Sequence, residues 1–307
     1  MSGMPENRAG GAWAAPGERP ARPRASARDY LELTKPRLNF LVLVSTLVGF
    51  EMGRKGGFDL PLFLNTLLAT SLLSGGAAAL NMWMEVEQDA RMRRTRNRPL
   101  PSGRLTPSQA LVFGLAASVL GLAEMALLVH PAAAWLGLAT WVSYVFIYTP
   151  MKRLSSLSVL AGAVPGALPP VMGWAAATGT LPPQAWVLFW IVFFWQIPHF
   201  LSIALMHRDD YERAGFKMVP LGNWAGGAGS QMILYSLALI PASLMPTVLG
   251  LTGVSYFAGA LALGLAFSLS VSLFAAGVGR LSARRVLLAS VTYLPLLQVL
   301  MVFDKTR

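Results

Sequence analysis

The chain has 307 residues, of which 54% are hydrophobic and only 13% charged, and its mean hydropathy is +0.53. A soluble domain carries charge at about a quarter of its positions, so this balance points to a membrane protein. The formal charge of +11 comes from cations clustered in short loops between apolar runs, which marks membrane topology and not a nucleic-acid face, and the absence of cysteine excludes disulfides, thiolate catalysis and Cys-ligated metals.

Residues 1–35, rich in Pro, Ala, Gly and Arg, read as a disordered cytoplasmic tail. They lack the apolar core of a signal peptide, and Glu6 and Glu18 count against a transit peptide. Residues 36–307 form the membrane domain. A spanning helix needs about 20 mostly apolar residues. Nine are predicted, at roughly 38–53, 60–82, 107–129, 132–149, 156–176, 184–205, 230–250, 254–277 and 285–303, which makes the fold an all-α polytopic bundle. The runs 154–206 and 218–279 contain no Asp, Glu, Lys or Arg and are each too long for one span. Breaks are therefore placed at "ATGTLPPQ" (177–184) and "LGLTG" (249–253), and "VHPAA" (129–133) separates the third and fourth spans. With the N-terminus inside, 21 of the 25 Lys and Arg fall on the cytoplasmic side. Only Arg54, Lys55, Lys305 and Arg307 lie outside, so the C-terminus is expected on the outer face.

The second span runs into "NMWMEVEQDARMRRTRNRPLPSGR" (81–104). If the helix continues, Asn81, Glu85 and Asp89 follow one another at i, i+4 and i+8, on one face with a drift of about 40° per step. Such a row of oxygens suits Mg²⁺, which often completes its shell with a substrate phosphate. The arginines that follow, Arg94 and Arg98 among them, suit bidentate contact with phosphate. The alternative is a loop whose acids merely pair with its own arginines. Glu87 falls off the face and reads as a solvated acid, and Glu124, near the outer end of the third span, is assigned no catalytic task.

The next charged stretch, "IYTPMKRLSSLSVLAGAVPGALPPVMGWAAATG" (147–179), places Lys152 and Arg153 on the same side as the acids. They serve either as phosphate contacts or as headgroup anchors. Gly162, Gly166 and Gly173 permit close helix approach, while Pro165, Pro169 and Pro170 predict an irregular helix lining a cavity. In "FFWQIPHFLSIALMHRDDYERAGFKMVP" (193–220), Pro198 predicts a kink with Gln196 and His199 beside it, facing a cavity or bonded to a neighbouring helix. Asp209 and Asp210 follow the apolar run, placed for a second metal or for ion pairs with Arg208 or Arg213.

From about Leu31 to the C-terminus, these three stretches resemble the signatures of the protohaem IX farnesyltransferase (haem O synthase) branch of the UbiA-type intramembrane polyprenyltransferases. The resemblance implies a nine-helix bundle in a bacterial inner membrane with its active site at the cytoplasmic side. It implies transfer of a farnesyl group from farnesyl diphosphate to a vinyl group of haem B, a substrate and not a cofactor, giving haem O and diphosphate. Asn81, Glu85 and Asp89 match the family's first acidic motif, which implies binding of Mg²⁺, or Mn²⁺, and diphosphate. Arg94 and Arg98 match its "RT" and "RP" positions, and Lys152 and Arg153 its basic pair. Gln196 and His199 match the segment implied to hold haem or the prenyl chain. Asp210 and Tyr211 match its "DY" pair, with Tyr211 implied, like Gln196 and His199, to hold haem or the prenyl chain, and with Asp209 and Asp210 near a second ion. Implied partners are the lipid bilayer and a haem A synthase or terminal oxidase downstream; nucleic acid is not expected.

Four positions depart from the pattern. Glu85 and Glu87 stand where Asp is usual, Ser158 where Asn is common, and Lys217 where Pro is common. Two other readings remain open. One is a sister prenyltransferase acting on a quinone precursor or a chlorophyll-type acceptor. The other is a transporter or membrane scaffold, whose ion-pathway acids would be expected deep in the spans and not at their ends.

Overall fold

The computed structural model describes residues 25–217, 227–277 and 283–306. These residues contain no strand beyond an isolated bridge between Thr252 and Lys305. Most of the expected tail, residues 1–24, lies outside the described residues, as do the "MVP" at 218–220 and Arg280. The last part of that tail is ordered. Ser26 and Asp29 form a capping box that starts α1, Ala27–Leu33. Arg104 then reaches across to Asp29 at 2.6 Å and Glu32 at 3.0 Å, Leu33 is fully buried, and Tyr30 packs on Phe113. Two long-range ion pairs and an apolar anchor dock a segment whose composition reads as disordered.

The bundle proper follows: α2 (Pro36–Gly53), α3 (Leu60–Met84), α4 (Val86–Arg91), α5 (Pro107–Glu124), α6 (Pro131–Val142), α7 (Thr149–Leu154), α8 (Ser158–Thr178), α9 (Pro183–Met206), α10 (Arg208–Ala214), α11 (Ala228–Val248), α12 (Val254–Ala275) and α13 (Ala283–Phe303). Two π-helical segments extend α5 to Val129 and join α6 to α7, giving continuous rods over Pro107–Val129 and Pro131–Leu154. Among the described residues, eight rods are long and apolar enough to cross a membrane. The expected first span, α2, is not among them: its 18 residues include Arg37 and Glu51. It nevertheless packs along α8 and α3 as a ninth long member of the bundle.

The breaks read from Gly and Pro hold. Gly179, with φ +67°, ends α8, and the imidazole Nδ1 of His130 accepts from Ala132 N to start α6. The prolines do not end their helices, and Pro165 and Pro169 line a cavity, as expected. α8 runs without interruption through Pro165, Pro169 and Pro170, and α9 through Pro198. Helices packed on all sides tolerate such lost hydrogen bonds, because their neighbours hold the backbone in place.

α8 and α9 form the centre of the bundle, with 78% and 67% of their spanning windows buried, against 28% for α5 and for α12. The outward faces carry exposed apolar side chains such as Leu127, Val254 and Phe303, as a lipid-facing surface requires. The tightest crossing is that of α2 on α8. A Cβ at Gly173 would lie 1.9 Å from Thr46 O, and one at Gly49 1.8 Å from Pro170 O. Backbone therefore meets backbone, as small residues allow inside membranes. Gly173→Ala is expected to force α2 away from α8 and destabilise the bundle by about 1–3 kcal/mol or more. The check is the thermal midpoint in detergent, with Gly57→Ala, where a Cβ meets nothing within 4 Å, as the unaffected control.

Candidate active site

The charged cluster is built where α3 gives way to α4. The sequence register predicts one continuous helix there. Instead Glu85 takes φ −107° and ψ 14°, ending α3 and beginning α4. The i, i+4 register survives the break, because Glu85 N donates to Asn81 O at 3.1 Å and Asp89 N to Glu85 O at 2.8 Å. Asn81, Glu85 and Asp89 therefore do share a face, and that face is buried, with exposures of 1%, 3% and 1%.

Each of the three is met by a cation from another segment. Lys35 Nζ donates to Asn81 Oδ1 at 2.5 Å, while Asn81 Nδ2 donates to Thr149 Oγ1 at 3.1 Å. Lys152 Nζ stands 2.5 Å from Glu85 Oε1, and Arg98 Nη1 donates to Asp89 Oδ2 at 2.7 Å. Thr95 Oγ1 clamps the turn by donating to Asp89 O at 2.8 Å. Two carboxylate oxygens are left short. Asp89 Oδ1 is buried without a hydrogen-bond partner, and Glu85 Oε1 has the charge of Lys152 beside it but no aligned hydrogen bond. Buried oxygens of this kind are costly unless a ligand completes them. Oxygen-only donors with free lone pairs fit a hard divalent cation.

The remaining predicted residues lie around this centre in different ways. Arg94 Nη2 donates to Tyr211 Oη at 3.2 Å, and its guanidinium sits over the Tyr211 ring at 5.6 Å, so α10 is drawn against α4. Arg153 is engaged structurally, donating to Met84 O at 2.6 Å and Gln88 Oε1 at 2.8 Å across the helix break. Asp210 pairs with Arg213 and accepts from Arg93 N at 3.4 Å. Burial raises its pKa, but the backbone of Arg93 and the Arg213 guanidinium outweigh burial and hold it below the usual carboxylate value. Asp209 is exposed. Among the described residues, no three or more His, Asp or Glu come together in a metal-holding group.

Below the charges lies a cavity of about 290 Å³, lined by residues of α2, α3, α6, α8, α9 and α13 and of the π-helical segment before α7. Tyr148 links the two regions: its ring carries the Lys152 ammonium at 4.8 Å, and it lines the cavity. Gln196 and His199 are in the cavity wall, as expected. Gln196 Nε2 donates to Ala163 O and Val192 O at 3.3 and 3.1 Å, and its amide oxygen fills the notch at Gly166. His199 stacks on Trp195 with ring centres 4.7 Å apart.

Sequence reasoning missed Lys35, which it counted only as a loop cation. Lys35 is the one non-glycine residue with positive φ among the described residues, at 49°. This left-handed turn ahead of Pro36 aims its ammonium into the site. The signal was "TKPR", a lysine directly before a helix-starting proline. Burial, followed by the positive charges of Arg98 and Lys152, brings Lys35 down to about 7.

Residues 42–292 match the model of the UbiA prenyltransferase family. The chain belongs to this family. It is thus an integral membrane prenyltransferase. The chain is 47% identical over 288 residues to the protoheme IX farnesyltransferase of Solibacter usitatus, covering 91% of this chain and 99% of that one. It is 43% identical to the enzyme of the same name from Myxococcus xanthus, covering 91% and 95%. In fold it is similar to the UbiA homolog from Archaeoglobus fulgidus bound to GPP and Mg2+, with a TM-score of 0.67, 17% identity and coverage of 90% and 98%. A digeranylgeranylglyceryl phosphate synthase structure gives a TM-score of 0.77 at 14% identity, covering 90% and 97%. The transporter and scaffold readings are set aside by the family match.

An anion placed against Lys35 raises its pKa back toward the ordinary lysine value, so binding of an anion above about pH 7 takes up a proton. Titration of inorganic diphosphate at a pH of about 8, by calorimetry in two buffers of different ionisation enthalpy, should show this uptake. Lys35→Met is expected to lose it, and in wild type it should fade as the pH drops below about 7.

Proposed function

We propose that the chain transfers a farnesyl group from farnesyl diphosphate to a vinyl group of haem B, giving haem O and diphosphate. The observation that carries this reading is the continuity of the buried acid–cation cluster with the aromatic cavity beneath it, joined at Tyr148. The names of relatives above 40% identity over most of the chain favour haem over a quinone-type or chlorophyll-type acceptor.

Asn81, Glu85 and Asp89 would hold Mg²⁺, with Mn²⁺ as a substitute, and Asp210, on the helix α10 that packs against α4, would serve a second ion. When bound, the metal supplies Lewis-acid neutralisation of the departing diphosphate. This chain's own residues do the rest. Arg98, Lys152 and Lys35 already converge on the three oxygen ligands and turn to the diphosphate as its charge grows, while Arg94 approaches from the Tyr211 side. The C–O bond breaks with its electron pair leaving on the diphosphate. Trp141, Tyr144 and Tyr148 line the cavity where the allylic cation forms, and their π faces stabilise it. The vinyl π electrons of haem then form the new C–C bond. The resulting carbocation takes the oxygen of one water and releases one proton, leaving a hydroxyethylfarnesyl group. Gln196 and His199 orient the acceptor from the wall.

In the cell, the charged end of the bundle would face the cytoplasm of a bacterial inner membrane, as the 21-to-4 distribution of cations favours. The product would pass to a haem A synthase or a terminal oxidase.

The test uses purified protein in detergent with haem B, farnesyl diphosphate and Mg²⁺, reading haem products by mass. Hydroxyethylfarnesyl haem should form, vanish on chelation of Mg²⁺, and vanish in Asp89→Ala. Arg98→Ala should lower the rate by about two to three orders of magnitude, and Glu87→Gln, at an exposed position, should leave it unchanged. Prenylation of a phenolic acid with haem left unmodified would overturn the acceptor and leave the prenyltransferase intact.

A further inference from the structure

Behind the cavity wall, next to the lining residue Val291, lies a residue that no motif singled out. Ser290, on α13, is fully buried and lies opposite the Trp195–His199 stack of α9. It holds both rings of that stack. Its backbone carbonyl accepts from Trp195 Nε1 at 2.8 Å, and its Oγ lies 2.8 Å from His199 Nδ1.

The direction of the second bond follows from proton counting. A serine hydroxyl has a single proton to donate. Ser290 Oγ donates that proton to Leu287 O, 2.7 Å away in the preceding turn of α13. With its proton on Leu287 O, Ser290 Oγ is an acceptor for His199, the arrangement that goes with the imidazole proton on Nδ1. The lone pair is then on Nε2, which makes no hydrogen bond among the described residues, on a ring that lines the cavity. A neutral imidazole with its Nδ1–H bound to a fixed acceptor and its Nε2 free is the arrangement by which histidines bind iron, the outer partner setting tautomer and ring orientation.

We propose that Ser290 is a positioning residue for the acceptor substrate: it fixes the Nδ1–H tautomer and the plane of His199, so that Nε2 is presented to the iron of a metalloporphyrin in the cavity. The inference rests on the haem reading above. It adds that the acceptor is located by its metal as well as by its apolar rim, through a contact reaching from α13 to α9. Trp195, held edge-on by the same residue, supports the imidazole from one face, so that the ring has one orientation before substrate arrives.

The experiment uses the full chain in detergent or nanodiscs with haem B alone, read by absorption and by the iron–histidine stretch in resonance Raman spectra of the ferrous form. Wild type should show a histidine-ligated haem, and His199→Ala should lose the signature and regain it with added imidazole. Ser290→Ala should weaken haem binding by about 10- to 100-fold and shift or broaden the iron–histidine band. Its diphosphate affinity should not change. Ser290→Cys keeps the volume but accepts poorly and should behave like Ser290→Ala, whereas Ser290→Thr retains the hydroxyl and should restore the wild-type band. A thermal midpoint equal to wild type certifies the fold of each variant.

If Ser290→Ala and Ser290→Cys bind haem with wild-type affinity and an unchanged band, the positioning role is wrong. The same holds if His199→Ala keeps a histidine-ligated spectrum. In both cases continued production of hydroxyethylfarnesyl haem leaves the proposed function standing. If wild type neither binds nor farnesylates haem, the functional reading fails and this inference falls with it.

Discussion

Everything at the charged end of this bundle depends on one constraint: two carboxylates are buried where a membrane helix ends. Glu85 and Asp89 are withdrawn almost completely from solvent, and a buried charge without a partner is far too costly to persist. The chain meets the cost with Arg98, in the loop after α4, against Asp89 and Lys152, in α7, against Glu85, while Lys35 ahead of α2 holds the neighbouring Asn81. These contacts fix where α2 enters the bundle, how the arginine-rich loop folds back, and where α7 stops. Buried ion pairs are weak evidence for stability in themselves. Here they leave carboxylate oxygens incompletely satisfied, the observation on which the proposed metal site rests.

The apolar half of the structure is organised by the opposite requirement, that backbones come as close as sterics allow. Gly49 and Gly173 bring α2 and α8 into contact along one edge. Gly162 admits the ring of Tyr148, and Gly166 admits the amide of Gln196. Glycines of one helix, α8, thus both close the contact with α2 and admit an aromatic ring and a polar side chain of the cavity wall. Since Tyr148 also carries the Lys152 ammonium, packing in the membrane and charge at its boundary are joined through one side chain. The charged cluster and the largely apolar cavity thus adjoin at Tyr148.

Much of this was legible in the sequence. The i, i+4, i+8 spacing of Asn81, Glu85 and Asp89 survives even a break in the helix at Glu85, because the backbone bonds on either side keep the register. The turns at 129–133, 177–184 and 249–253 followed from Gly and Pro, whose backbone preferences are local. Other features were not legible. Lys35 carries no local mark of its role beyond "TKPR", and its importance arises from a contact with Asn81, 46 positions away. Arg153 read as a phosphate contact or an anchor, yet it spans the helix break. Asp209 and Asp210 are neighbours in sequence, but one is exposed and the other bound to Arg213.

The sequence by itself determined the membrane class, the helical segments and the oxygen-rich face, because each depends on hydropathy or on a helical period that acts within a few turns. Only the tertiary structure decided which cation meets which acid, that α1 is docked and not free, and that Ser290 holds His199. Apart from Arg98 with Asp89, those pairings join segments tens of residues apart. Their energies depend on burial and alignment, and both exist only once the helices have packed.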